Sequence, residues 1–167
     1  MSDAETPSLT EEMKLEYFKR LRSVIDEHGW AVQAVGAGPD THQFAYTVGL
    51  HEKGLPEILL IGLPYLTSHS ILNAAAKKLI ASGRPRDGQV DLDLLVNYPA
   101  VYRDVPSAAA GEVHTCIARA MYGDGVEVVQ LVWPDVDGKF PWDPECDGPT
   151  AESQSAVVAH GKPPAVN

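Results

Sequence analysis

Cysteine is scarce in this chain, cations are outnumbered, and no apolar run is long. Only two of 167 residues are cysteine, Cys116 and Cys146, and neither has a C-x-x-C partner. This argues against a disulfide framework and a thiolate zinc site, and it fits a reducing compartment. Lys and Arg number 13 against 23 Asp and Glu, a formal charge of −10. Such a chain repels phosphate backbones and acidic lipid surfaces, so neither nucleic acid nor membrane is an expected partner. Its one basic cluster, Arg84-Pro85-Arg86 with Asp87 beside it, reads as a solvated turn. The longest apolar stretch, around Ile58 to Leu63, is too short to span a bilayer, and the acidic start Met1-Ser2-Asp3-Ala4-Glu5 has no signal-peptide core. The expected location is the cytoplasm.

Apolar residues make up 44% of the chain and charged residues 22%, an ordinary balance for one globular core. Residues 8–143 are expected to form a single domain, with 1–7 a flexible N-terminus. From Pro144 onward Asp, Gly, Pro, Ser and Gln predominate, so 144–167 reads as a mobile tail.

Ser8-Leu9-Thr10-Glu11 has the form of a capping box, and Tyr17, Phe18, Leu21, Val24 and Ile25 follow at helical spacing until Gly29. Trp30 to Val35 and Phe44 to Val48 favour β structure, and the intervening Gly36 to Asp40 makes a hairpin the simplest connection. Ile58-Leu59-Leu60-Ile61, apolar at every position, predicts a strand buried on both faces. A second helix is expected from Pro64 to Gly83, strands at Val90 to Leu95 and Ala100 to Val105, a third helix from Pro106-Ser107 through Tyr122, and a last strand at Val126 to Trp133. This order predicts an α+β fold with three helices and a mixed or mostly antiparallel sheet of about six strands. The early hairpin, Thr47-Val48-Gly49, Pro56 and apolar strand also resemble the element order of flavin-binding split barrels.

Gln130 to Asp143 holds two tryptophans, two prolines and three aspartates, so the last strand ends in a rigid, aromatic-rimmed turn. Asp135-Val136-Asp137-Gly138 starts like a calcium loop, but the template's glycine falls on Phe140 and its glutamate on Cys146. A turn in which aspartate side chains accept from nearby amides and Gly138 takes positive φ is the simpler reading. The six histidines, His28, His42, His51, His69, His114 and His160, contain no i, i+4 pair, so no metal motif is present. His42 and His51 flank the Phe44 to Val48 strand, where an approach to Glu57 would make an acid-base pair and solvation would make them ordinary loop residues. Cys116 shares an apolar face with Val113, Ile117, Ala120 and Met121 and reads as a small core residue, not a nucleophile.

Polar residues on apolar strands are the stronger site candidates. If the strands are neighbours, Tyr46, Thr47, His51, Glu57, Gln130, Trp133 and Asp135 line one mouth of the sheet as a small-molecule pocket. His51, Glu57 and Asp135 are then the candidate catalytic groups, and the alternative is that Glu57 and Gln130 cap backbone groups or pair with Arg103 or Arg119. Tyr46-Thr47-Val48-Gly49-Leu50, Pro56-Glu57, Gly62, Gln130-Leu131-Val132-Trp133-Pro134-Asp135, Gly138 and Phe140-Pro141-Trp142 resemble the bacterial domain-of-unknown-function family numbered 4262. The resemblance runs from about Gly29 to Asp143, with Ala108 to Gly111 as a longer connection, and implies no catalytic role for any position. Three functions follow as expectations: a small-molecule binder, a protein-interaction module docking through the Trp133 to Trp142 turn, and a flavin-dependent oxidoreductase of split-barrel type. A homo-oligomer is compatible with each.

Overall fold

The computed structural model describes residues 10–39, 41–106, 114–154 and 163. Helix α1 spans Glu11–His28, strands β1 and β2 Ala31–Val35 and Phe44–Val48, and a 3-10 turn Leu50–Lys53. Strand β3 is Glu57–Ile61, helix α2 Tyr65–Ser82, β4 Val90–Asp91 and β5 Ala100–Val105. Helix α3 is Cys116–Tyr122, β6 Val128–Val132 and helix α4 Gly148–Gln154. The six strands form one mixed sheet in the order β1-β2-β3-β6-β5-β4, antiparallel everywhere except between β3 and β6. The expected α+β class, mixed sheet and hairpin are present. The sheet is open, with β1 and β4 as its edges, so the split-barrel likeness is corrected.

Thr10 Oγ1 accepts the Met13 amide to start α1, and Gly29 ends it in the left-handed region. Alternation then sorts the strands onto two layers. Phe44, Tyr46, Val48, Leu59, Ile61, Val105 and Val128 pack under α1 and α3 with Leu21, Ile25 and Ala118. Ala45, Ile58, Leu60, Tyr102, Val129 and Leu131 pack under α2 with Ile71, Leu72, Ala75, Ala76 and Leu79. Every residue of β3 is buried, as its unbroken apolar run requires. None of the helices among the described residues is long and apolar enough to cross a membrane.

Three elements differ from their expected bounds. The strand expected at Val90 to Leu95 stops at Asp91, because Asp91 Oδ1 accepts from the Asp93 and Leu94 amides and bends the chain away. Helix α3 begins only at Cys116, with Ser107 and Val113 outside the described residues; Cys116 is therefore exposed, and Ala118 occupies the core instead. Beyond Pro144, α4 forms where no element was expected and carries Gln154 into the interior.

Candidate functional site

The parallel register of β3 on β6 aligns Glu57 with Val128 and Leu59 with Gln130. Glu57 therefore stands at the amino end of this pair, while Trp133 and Asp135 lie beyond its carboxyl end. More than about 13 Å of strand separates them at ~3.3 Å per residue, so the seven candidates do not share one mouth.

At the amino end, Glu57 is fully buried. Its Oε2 accepts the Gly49 amide at 2.9 Å, and its Oε1 accepts those of Leu50 at 2.6 Å and His51 at 3.3 Å. Burial pushes this carboxyl up to about 8, against the three amide donors, which favour the anion. Gly49 makes the arrangement possible: its φ is 125°, and an added Cβ would lie 2.9 Å from both Gly29 O and Trp30 Cα. Thr47 Oγ1 accepts the Ile58 amide where the β2/β3 pairing ends. Outside this seal, Arg22 holds Glu52 through two 2.8 Å hydrogen bonds, and the Tyr122 hydroxyl donates to the same carboxylate. The His51 ring lies 4.8 Å from that of Tyr122. His42 belongs to the opposite end of β2, which pairs Phe44 with Ile61. These polar groups secure the turn to α1, α3 and β3, and Glu57 faces backbone amides, not an open cavity.

In the middle of the sheet, on the α1 and α3 side, Tyr46 accepts the Ile117 amide through its hydroxyl at 3.1 Å. Gln130 donates to Gln154 O at 3.3 Å, while its Oε1 has no partner among the described residues. Arg103, opposite Gln130 in register, donates to Asp87 at 3.0 Å and lies 5.3 Å from the Trp142 ring centre. Arg119 pairs with Asp124.

At the carboxyl end, Asp135 is a turn former. Its Oδ1 accepts the Asp137 and Lys139 amides and its Oδ2 that of Asp147, each at 2.9 Å. These bonds, the Lys139 and Asp147 amides foremost, hold the carboxyl below its usual range. Gly138 adopts φ 81°, as the turn reading requires. Trp133 is fixed from three sides: its amide donates to Gln154 Oε1, its carbonyl accepts from Gln154 Nε2, and its indole N–H donates to Ile61 O. Gly62 leaves room for that indole, since a Cβ there would sit 3.1 Å from Trp133 Cζ2 and 3.0 Å from Ser153 Oγ. Trp142 stacks on Phe140 and covers Arg103 on the other side of the sheet, so the two tryptophans do not make one patch.

Beside Trp133 lies an open groove of about 640 Å³, walled by Leu63, Leu66, Thr67, Ser70 and Ile71 of the α2 region, by Leu94, Leu95, Val96 and Tyr98, and by Pro134. Its lining is mainly apolar, yet Leu66 is 78% and Val96 84% exposed at the rim. Of the seven candidates only Trp133 lines it. The sequence carried a cue in the apolar cluster Leu92 to Val96, which the expected strand absorbed. No group of His, Cys, Asp and Glu suited to a metal occurs among the described residues.

The fold and its open groove define an α+β protein with a preformed apolar recess at the carboxyl end of a parallel strand pair. The chain belongs to the family described as Domain of unknown function (DUF4262), whose model matches residues 24–147. No curated protein and no solved structure matches it. The matched stretch contains both the sealed turn and the groove, while α4 lies beyond it.

Proposed function

We propose that the protein binds a small, uncharged, largely apolar molecule in the groove between the start of α2, residues 94–98 and Trp133. The observation carrying this reading is a recess of about 640 Å³ whose tryptophan wall is already immobilised while its leucine and valine rim stays in water. That volume suits a small ligand, and a position outside the carboxyl ends of parallel strands is a common place for one in open sheets. The side chains of Thr67, Ser70 and Tyr98 supply the few polar groups. The geometry favours binding over turnover, because Glu57 and Asp135 are saturated by backbone donors and lie outside the groove lining. The flavin reading loses its main support with the open sheet, and docking through the turn loses the joint tryptophan patch that it required.

The test is titration with the neutral fluorophore N-phenyl-1-naphthylamine. The native chain should enhance its emission saturably, and Leu66→Lys should weaken binding by roughly tenfold or more, as expected when an apolar contact is replaced by a charge. Absence of saturable binding, or equal affinity in Leu66→Lys, overturns the proposal.

A further inference from the structure

Helix α2 has a second flank beside the one that walls the groove. His69, Asn73 and Lys77 follow one another at i, i+4 and i+8, a single stripe of the helix. Together with Glu27 and His28 from the last turn of α1 they line an open cleft of about 600 Å³, whose apolar lining includes Val24, Trp30 and Val32. No residue of this cleft lines the groove beside Trp133.

Trp30 fixes the chemistry of the stripe. An indole N–H can only donate, so Asn73 Oδ1 accepts it at 2.9 Å. The other end of that carboxamide, Nδ2, can only donate, and it lies 3.2 Å from His69 Nδ1. Nδ1 therefore accepts and bears no hydrogen, which leaves the neutral imidazole with its N–H at Nε2, on the side of the ring away from Asn73. One turn beyond Asn73, Lys77 has no ion pair among the described residues, whereas its neighbour Lys78 is held by Asp91 and Asp93. On the α1 side Glu27 is the one carboxylate of the lining, with the adjacent His28 ring 3.8 Å away.

We propose that this cleft binds a free α-amino acid with an apolar side chain, its carboxylate at His69 Nε2–H and Lys77, its ammonium at Glu27, and its side chain against Val24, Trp30 and Val32. Donors on the α2 wall, a carboxylate on the α1 wall and apolar surface alongside both select this class. A ligand carrying only a carboxylate would meet Glu27 and a chain of net charge −10. A ligand carrying only an ammonium would leave Lys77 opposed and the His69 donor without an acceptor. A zwitterion answers both walls and brings no net charge to the protein.

Heteronuclear NMR on the full chain tests the site through the indole N–H of Trp30, assigned by its loss in Trp30→Phe. L-Phenylalanine should shift this signal saturably, with a dissociation constant below about 1 mM. The analogues 3-phenylpropanoate and 2-phenylethylamine, each lacking one of its charges, should bind roughly tenfold or more weakly, as expected when a charge-assisted contact is removed. Glu27 and Lys77 are both exposed, so their variants should fold normally. Lys77→Gln should weaken L-phenylalanine by about tenfold. Glu27→Gln should weaken L-phenylalanine to a similar degree while leaving 3-phenylpropanoate bound no less tightly. Leu66→Lys, on the groove rim, should leave all of these affinities unaltered, which separates this cleft from the groove. Absence of a saturable shift up to about 10 mM, equal affinity for either singly charged analogue, indifference to both glutamine variants, or loss of binding in Leu66→Lys overturns the proposal.

Discussion

The two ends of the β3/β6 pair use their residues in opposite ways. At the amino end, the chemistry-bearing side chains are consumed by the fold, with Glu57 accepting three amides and Glu52 held by Arg22 and Tyr122. At the carboxyl end Asp135 is equally committed, yet the apolar residues around it are left uncovered. The contrast teaches that polarity alone was a poor guide to the candidate site. A buried carboxyl whose two oxygens both accept backbone amides is structural, whereas Leu66 and Val96 are exposed despite their hydrophobicity.

The largest effect should come from removing the amino-end seal. Glu57→Ala leaves three buried amides without an acceptor, and urea unfolding should show a loss of about 3–5 kcal/mol. An effect under about 1 kcal/mol would mean that the turn holds without Glu57. Next comes the pH response of that carboxyl. Its folded value near 8 lies above the ordinary 4.5, so the native state retains a proton that the unfolded chain has released. Its stabilisation is complete below about 4.5 and should fall by on the order of 1 kcal/mol per pH unit up to about 8. Glu57→Gln should flatten this slope, and a native chain already flat across the window would contradict the shift.

The carboxyl end should respond with the opposite sign. Asp135 is held below its ordinary 3.8, so its stabilisation is present above that pH and is lost on acidification below it. Asp135→Asn should therefore lower Tm near neutral pH, with the gap to the native chain narrowing as both are acidified; a constant gap would argue against the anion's role. Gln154→Ala, which removes both bonds to the Trp133 backbone, should cost about 1–2 kcal/mol and redden tryptophan emission as the groove wall loosens. The smallest structural effect belongs to the rim: Val96→Ser should change stability by less than ~0.5 kcal/mol while weakening the neutral fluorophore.

Much of the framework was legible because local and long-range signals agreed. The spacing of Leu21 and Ile25, the glycine stop at Gly29, the apolar run of β3 and the span of α2 each have one physical reading. Strand direction was not legible. Residue pattern places Glu57 and Gln130 on buried strands, but only the parallel pairing sends Glu57 and Asp135 to opposite ends. The groove was hidden for a related reason. Val90 to Leu95 has strand composition, and the side-chain bonds of Asp91 turned it into the bent wall that holds Leu94, Leu95 and Val96. Cys116 was misplaced because the helix Cys116–Tyr122 turns Ala118 into the core and leaves Cys116 exposed.

The parallel pair also sets a timetable for synthesis. Once β3 leaves the ribosome it can zip to β2, but its other edge must wait for β6, whose last residue, Val132, lies 71 positions after Ile61. At roughly 5–20 residues per second, the most apolar strand of the chain spends about 4–14 s with one edge unmatched. During that interval α2 is the first helix made after β3, and its packing over Ile58 and Leu60 shelters one face of the nascent strand until the sheet can close around it.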